Sequence, residues 1–146
     1  AIAYQDVYVA QISLEANPAQ AMKAIVEAEA YPGPSLIIGY TPCINHGIKG
    51  GMSKSAENAK AAVESGYWQL YRYDPRLREK GKDPMRMDFK KADFDKMTDF
   101  METQVRFSAL RNIKESGEEV DEMLEQTADE LEERTKVYSD LASLKK

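Results

Sequence analysis

Apolar and β-branched residues crowd positions 7–14 (VYVAQISL), which predicts a β-strand. Asn17-Pro18-Ala19-Gln20 follows, with a capping residue, a proline at the first helical position and a glutamine three residues after the cap. A helix is therefore predicted over residues 18–30, with Met22, Ile25, Val26, Ala28 and Ala30 as its apolar stripe and Pro32-Gly33-Pro34 as its stop. The run 35–40 (SLIIGY), bounded by turn residues, reads as a strand covered on both faces. Strand, helix and strand with tight connections make a βαβ unit, expected to be parallel and right-handed.

Ser53 or Ser55 is placed to cap a second helix whose apolar face is Ala59, Ala62 and Val63 and whose end is marked by Gly66. Residues 67–73 (YWQLYRY) read as a third strand. The stretch 74–91 holds two prolines, Gly81 and many charges, so it is expected to be loop with a short extended piece around 85–89. From Asp93 the spacing of Phe94, Met97, Met101 and Val105 is helical. Residues 118–144 carry Val120, Leu124, Thr127, Leu131, Tyr138 and Leu141 at three- and four-residue intervals, the mark of a long amphipathic helix. The fold class expected is α/β, organised as a βαβαβ portion (1–73), a charged connection (74–92) and a helical segment (93–146). Three parallel strands are few for such a sheet, so the chain reads as the later part of a larger one. The first strand is then expected to be an exposed edge that invites pairing with a second copy.

Charge sharpens this picture. The 146 residues carry a net charge of −5. Residues 118–134 hold nine acids and one base, which gives the last helix a very acidic outer face. Residues 72–96, from Arg72 to Lys96 and including Lys90, hold nine bases interleaved with six acids, the pattern of a solvated connection. An acidic chain without a concentrated basic face argues against nucleic-acid binding. No apolar run reaches the length of a membrane span. One cysteine and one histidine exclude an intrachain disulfide and any metal site built from several thiolates or imidazoles of this chain.

Ligands of open α/β sheets gather at the carboxyl ends of the strands, which directs attention to the loop 41–52 after the second strand. That loop contains Cys43, His46 and three of the eight glycines. Three readings of Cys43 stand open: a thiolate–imidazole pair with His46, one ligand of a metal centre shared with another segment, or a small buried hydrophobe. Gly50-Gly51-Met52-Ser53-Lys54-Ser55 resembles a phosphate cradle, but Met52 and Ser53 separate glycine from lysine and break the P-loop spacing. The tyrosines of 67–73 and the methionines Met85, Met87, Met97 and Met101 are expected to pack the core and sheet rim.

Beyond spacing, residues 8–75 closely resemble the C-terminal part of the thiamine-diphosphate-binding domain of pyruvate:ferredoxin (or flavodoxin) oxidoreductases. The Tyr40-Thr41-Pro42-Cys43-Ile44-Asn45-His46-Gly47 stretch is its most specific motif, and Gly81-Lys82-Asp83-Pro84 and the helical tail fit the same family. The resemblance implies a partial parallel sheet from that fold, flanked by helices, within a large homodimeric cytoplasmic enzyme. Such an enzyme oxidatively decarboxylates pyruvate with coenzyme A to acetyl-CoA and CO2. Thiamine diphosphate with Mg2+ supports the chemistry, and electrons pass through [4Fe-4S] clusters to ferredoxin or flavodoxin. Cys43 occupies the position of the last of four thiolate ligands to one cluster, in keeping with the four cysteines such clusters take. The family's other three ligands and its GDG…N magnesium motif lie upstream of the matching stretch. The implied partner is the remainder of the oxidoreductase chain, and this segment alone is expected to be inactive and free of cofactor. A competing expectation is a stand-alone α/β module whose acidic helix binds another protein.

Overall fold

The computed structural model describes residues 1–89, 91–113 and 117–141. Lys90 of the basic run and the expected end of the last helix at 142–144 lie outside the described residues. The first strand, β1 (Tyr8–Ile12), is followed by α1 (Pro18–Glu29) and β2 (Ser35–Gly39). Asn17 caps α1 by accepting a hydrogen bond from the Gln20 amide at 3.0 Å. The Gln20 side chain does not reach back to complete a capping box. Its Nε2 donates instead to the Gln11 carbonyl and to Asp88. β1 and β2 are parallel, with Tyr8 opposite Ser35 and Ile12 opposite Gly39, so the expected βαβ pairing is present.

The sheet is nevertheless mixed. β3 (Tyr71–Tyr73) and β4 (Met85–Met87) complete it in the order β2-β1-β3-β4, and β3 runs antiparallel to both β1 and β4. The expectation of three parallel strands fails because α2 (Ser55–Glu64) does not act as a crossover helix on the sheet. Its Ala62 packs with Met97 and Phe100 away from the strands, so nothing obliges β3 to enter from the parallel end. β3 is also shorter than the predicted 67–73, since Tyr67–Leu70 approach it as irregular chain. β1 consequently lies inside the sheet and is not an exposed edge; the edges are β2 and β4.

Paired residues point to the same side of a sheet, which assigns each face. On one, Tyr8, Ala10 and Ala24 form a small cluster with Ala28 and Ile37, so α1 meets the sheet through alanines. The predicted stripe of α1 is displaced: Met22, Ile25 and Val26 are exposed, and the buried positions are Gln20, Ala21 and Ala24. Small side chains let the helix approach closely, and that rotates its larger apolar groups outward. On the other face, Val9, Tyr71, Tyr73, Met85 and Met87 pack together, with Tyr138 of α6 (Gly117–Leu141) against Tyr71 at 5.4 Å. Among the described residues no cover reaches β2 on that side. Its burial is low throughout, with Leu36 41% and Ile38 40% exposed, against the expectation of a strand covered on both faces.

The remaining helices form a second core beside the sheet. α4 (Met97–Thr103) contributes Met97, Phe100 and Met101, which pack against Ala62 and against Val120, Leu124 and Leu131 of α6. α3 (Arg76–Glu79) lies in the β3–β4 connection, and α5 (Val105–Ser108) follows α4 after a break at Gln104. That break removes Val105 from the predicted stripe and leaves it 43% exposed. α2 starts without a serine cap: a short 3-10 turn, Met52–Lys54, leads into it, and Ser55 Oγ donates to Glu15. Gly66, with φ 81°, ends α2 in the left-handed conformation that glycine tolerates, as its position in the sequence suggests.

A buried ion cluster ties these layers together. Arg72 on β3, 6% exposed, donates through Nε and Nη2 to both carboxylate oxygens of Asp88 at 2.7 Å and through Nη1 to Glu27 of α1. Tyr8 donates its hydroxyl to the same Glu27. The Asp88 contacts hold the guanidinium protonated well above its ordinary range, and Glu27 adds to the effect.

Candidate functional site

β1 and β2 are parallel, so their carboxyl ends lie side by side, and the loop leaving β2 rises from that rim. The Tyr40 amide donates to the Ile12 carbonyl at 3.0 Å, which extends the ladder by one residue before the chain departs. Trp68 Nε1 donates to the same carbonyl at 2.9 Å and stacks on Tyr40 at 5.4 Å. Burial of the Tyr40 hydroxyl, which has no hydrogen-bond partner among the described residues, pushes its pKa up to about 12.

The loop has two buried anchors, Pro42 and Ile48, and an exposed crest from Cys43 to His46. The Gly47 amide closes the crest by donating to the Cys43 carbonyl at 2.9 Å, with Gly47 at φ 70°. The chain after α4 then clamps the loop from outside. Val105 N–H donates to the Gly47 carbonyl at 3.2 Å, Lys49 N–H to the Thr103 carbonyl at 2.8 Å, and Ile48 forms an antiparallel bridge with Gln104. Gln104 is itself fixed from below, where its Nε2 donates to Asn58 Oδ1 at 2.6 Å and Asn58 Nδ2 donates to Thr103 Oγ1 at 2.7 Å. Asn58 and Gln104 are 7% and 3% exposed, so this amide network lies inside the protein.

Cys43 is exposed, which removes the reading of a buried hydrophobe. Backbone hydrogen bonding from His46, and then from Asn45, lowers the Cys43 thiol pKa, and the Arg106 charge adds a smaller contribution. His46 thus meets the sulfur through its backbone. The thiolate–imidazole pair has no support in this arrangement, whereas a lowered thiol pKa favours the thiolate, the form in which cysteine binds metal. Among the described residues no group of three or more His, Cys, Asp or Glu side chains could hold a metal ion. Gly50 and Gly51 open onto the 3-10 turn before α2, where Lys54 pairs with Glu57, so the lysine of that run is already engaged, in keeping with the broken P-loop spacing.

Sequence reasoning missed two features of the site. Asn58 and Gln104 lie 46 positions apart and carry no motif. Arg106 lay outside the basic run that drew attention. The exposed loop, by contrast, was found through its lone cysteine and its place after a strand.

No protein-family model matches the chain. Individual relatives do. Pyruvate-flavodoxin oxidoreductase of Enterobacter agglomerans is 46% identical over 143 residues, covering 98% of this chain and 12% of the relative. Pyruvate:ferredoxin oxidoreductase of Moorella thermoacetica is 42% identical over 142 residues, covering 97% and 12%. The chain matches one segment of the pyruvate:ferredoxin (flavodoxin) oxidoreductases. The mitochondrial NADP(+) pyruvate dehydrogenase of Euglena gracilis is also similar, 42% identical over 138 residues, with 94% of this chain and 7% of the relative covered. The chain thus spans about an eighth of the length of the first two relatives, and among its described residues no helix is long and apolar enough to cross a membrane.

Four tyrosines, three buried and Tyr40 half-buried, make this segment alkali-sensitive. Burial, reinforced for Tyr8 by the charge and hydrogen bond of Glu27, raises Tyr8, Tyr40, Tyr71 and Tyr73 above the ordinary 10.0. The unfolded chain therefore releases these protons first as pH rises. Stability is full below pH ~10 and falls progressively toward pH ~12. Urea unfolding at pH 8 to 11 should show that decline, and Tyr40→Phe should make it shallower, because the hydroxyl it deletes has no partner to lose.

Proposed function

We propose that this chain is part of the thiamine-diphosphate-binding domain of a cytoplasmic, homodimeric pyruvate:ferredoxin (flavodoxin) oxidoreductase, and that Cys43 is one thiolate ligand of a [4Fe-4S] cluster in it. The observation that carries the reading is the exposed Cys43 on a loop that leaves the carboxyl rim of a parallel strand pair. Amide donors to a ligating sulfur stabilise the thiolate and tune the cluster it binds. The donor set fits one ligand of four. The other three come from the remainder of the polypeptide, which is the partner of this segment.

In the whole enzyme, bound thiamine diphosphate would supply the carbanion chemistry that decarboxylates pyruvate, with coenzyme A accepting the acetyl group. This chain's contribution is to hold the ligand loop rigidly through the Gly47–Val105 and Ile48–Gln104 contacts. Alone it lacks the other ligands and is inactive.

The partner assignment also rests on surface. Parallel strands are ordinarily covered on both faces, yet β2 is bare along one edge and over Leu36 and Ile38. We assign that cover to a further strand and helix of the same polypeptide.

Cys43→Ser in the full-length enzyme tests the ligand. The expected result is loss or alteration of one cluster's EPR signal together with slowed reduction of ferredoxin, while the other clusters keep theirs. An unchanged spectrum overturns the assignment. Iron and sulfide analysis of the isolated segment after anaerobic reconstitution should find no stoichiometric cluster.

A further inference from the structure

We infer that Arg106 is the cation that sets the reduction potential of the cluster bound through Cys43, held beside the ligand loop by an aromatic ledge. The inference rests on the reading of Cys43 as a ligand and goes beyond it.

Three observations place the charge. The loop is fastened to the chain immediately before Arg106: Gly47 accepts from the Val105 amide, and Ile48 bridges Gln104. Arg106 therefore moves with the ligand loop. Its guanidinium is also fixed at the other end, where Nη2 donates to the Tyr67 hydroxyl at 2.8 Å and the group lies 5.9 Å from the Tyr67 ring and 4.8 Å from the Phe107 ring. Tyr67 in turn packs on Phe100 at 4.9 Å and on Tyr40 at 6.2 Å, so the ledge continues into the core and to the strand end that launches the loop. A surface arginine with no such seat would swing freely.

The third observation concerns neutralisation. Among the described residues Arg106 forms no ion pair, whereas the other cations around the loop are engaged. Lys49 pairs with Glu102, Arg111 with Glu102 and Asp121, and Lys54 with Glu57. Among the described residues, the cation beside the loop that no ion pair engages is therefore Arg106, one residue past the Val105 amide that binds Gly47. Reduction adds one negative charge to an iron–sulfur cluster. A fixed cation nearby favours the reduced form and raises the potential. Arg106 is exposed here, so the effect is moderated by solvent and salt.

The test uses the full-length enzyme with its clusters loaded, and reads the midpoint potential of the cluster lost or altered in Cys43→Ser by EPR-monitored redox titration. Arg106→Gln should lower the one-electron equilibrium constant roughly threefold, about 30 mV at 59 mV per tenfold. Arg106→Glu should lower it about twice as far in millivolts, and Arg106→Lys should stay near the parent value. Iron content per chain, measured first, confirms that each variant is loaded. Ordering of the potentials by charge supports the inference, since a packing role would not order lysine, glutamine and glutamate in this way. Equal potentials in loaded Gln and Glu variants, or a lysine variant that falls with them, overturn it. Should Cys43→Ser leave every cluster signal intact, the ligand reading fails instead, and the two failures are told apart by that control.

Discussion

Arg72→Ala should destabilise the 146-residue chain by about 3 kcal/mol, the largest loss expected from a single truncation outside the apolar core. Removal of one partner from a buried ion cluster leaves the others charged and unpaired. Asp88 is 13% exposed at its side chain and loses both of its guanidinium bonds, while Glu27, 27% exposed, loses its own. The more accessible Glu27 recovers some solvation, which keeps the figure at the low end of the range for such breaks. The cluster also bridges elements far apart in sequence, joining α1, β3 and the residue after β4, with Gln20 and Tyr8 attached to the same carboxylates. Urea unfolding at pH 7 measures the effect. Adding Glu27→Gln and Asp88→Asn should restore part of the loss, because neutral amides carry no charge to strand. A change under about 1 kcal/mol in the single variant would refute the role given to the cluster.

The same residue shows where sequence pattern stops. Arg72 opens a run of bases that reads as a solvated connection, and nothing local marks it as buried. Its partners lie 45 positions upstream and 16 downstream, and only the antiparallel pairing of β3 brings them together. Elements with strong local signals were legible: the Asn17-Pro18 start of α1, the parallel β1–β2 pair, the end of α2 at Gly66 and the stripe of Val120, Leu124 and Leu131 in α6. Strand direction was not legible, because Tyr71-Arg72-Tyr73 alternates equally well in either orientation. The sidedness of α1 was missed for a related reason. Met22, Ile25 and Val26 form the more hydrophobic stripe, but the alanine face is the one that fits against the sheet. At the site, the lone cysteine and the strand-end loop were readable, whereas the Asn58–Gln104 network that braces the loop depends on packing between α2 and the α4–α5 break.

The uncovered face of β2 gives the second large effect. Ile38→Lys should leave the isolated segment's stability within about 0.5 kcal/mol, since the side chain is 40% exposed and lies on a strand with one open edge. In the full-length enzyme the same change should cost several kcal/mol, because the proposed strand and helix over β2 would bury an ammonium group to which this chain offers no carboxylate. The nearest pairing residues on that face are Gln11 and Leu36 with its partner Val9, none of which offers a charge. The contrast between the two backgrounds is the measurement. Thermal unfolding of the segment should be nearly unchanged, while the full-length variant should unfold at a clearly lower temperature or accumulate as a protease-sensitive chain. Ile38→Thr, which keeps the β-branch and adds no charge, should fall between. If full-length enzyme carrying Ile38→Lys melts where the parent does, β2 faces solvent in the assembled protein, and the larger sheet must be built elsewhere.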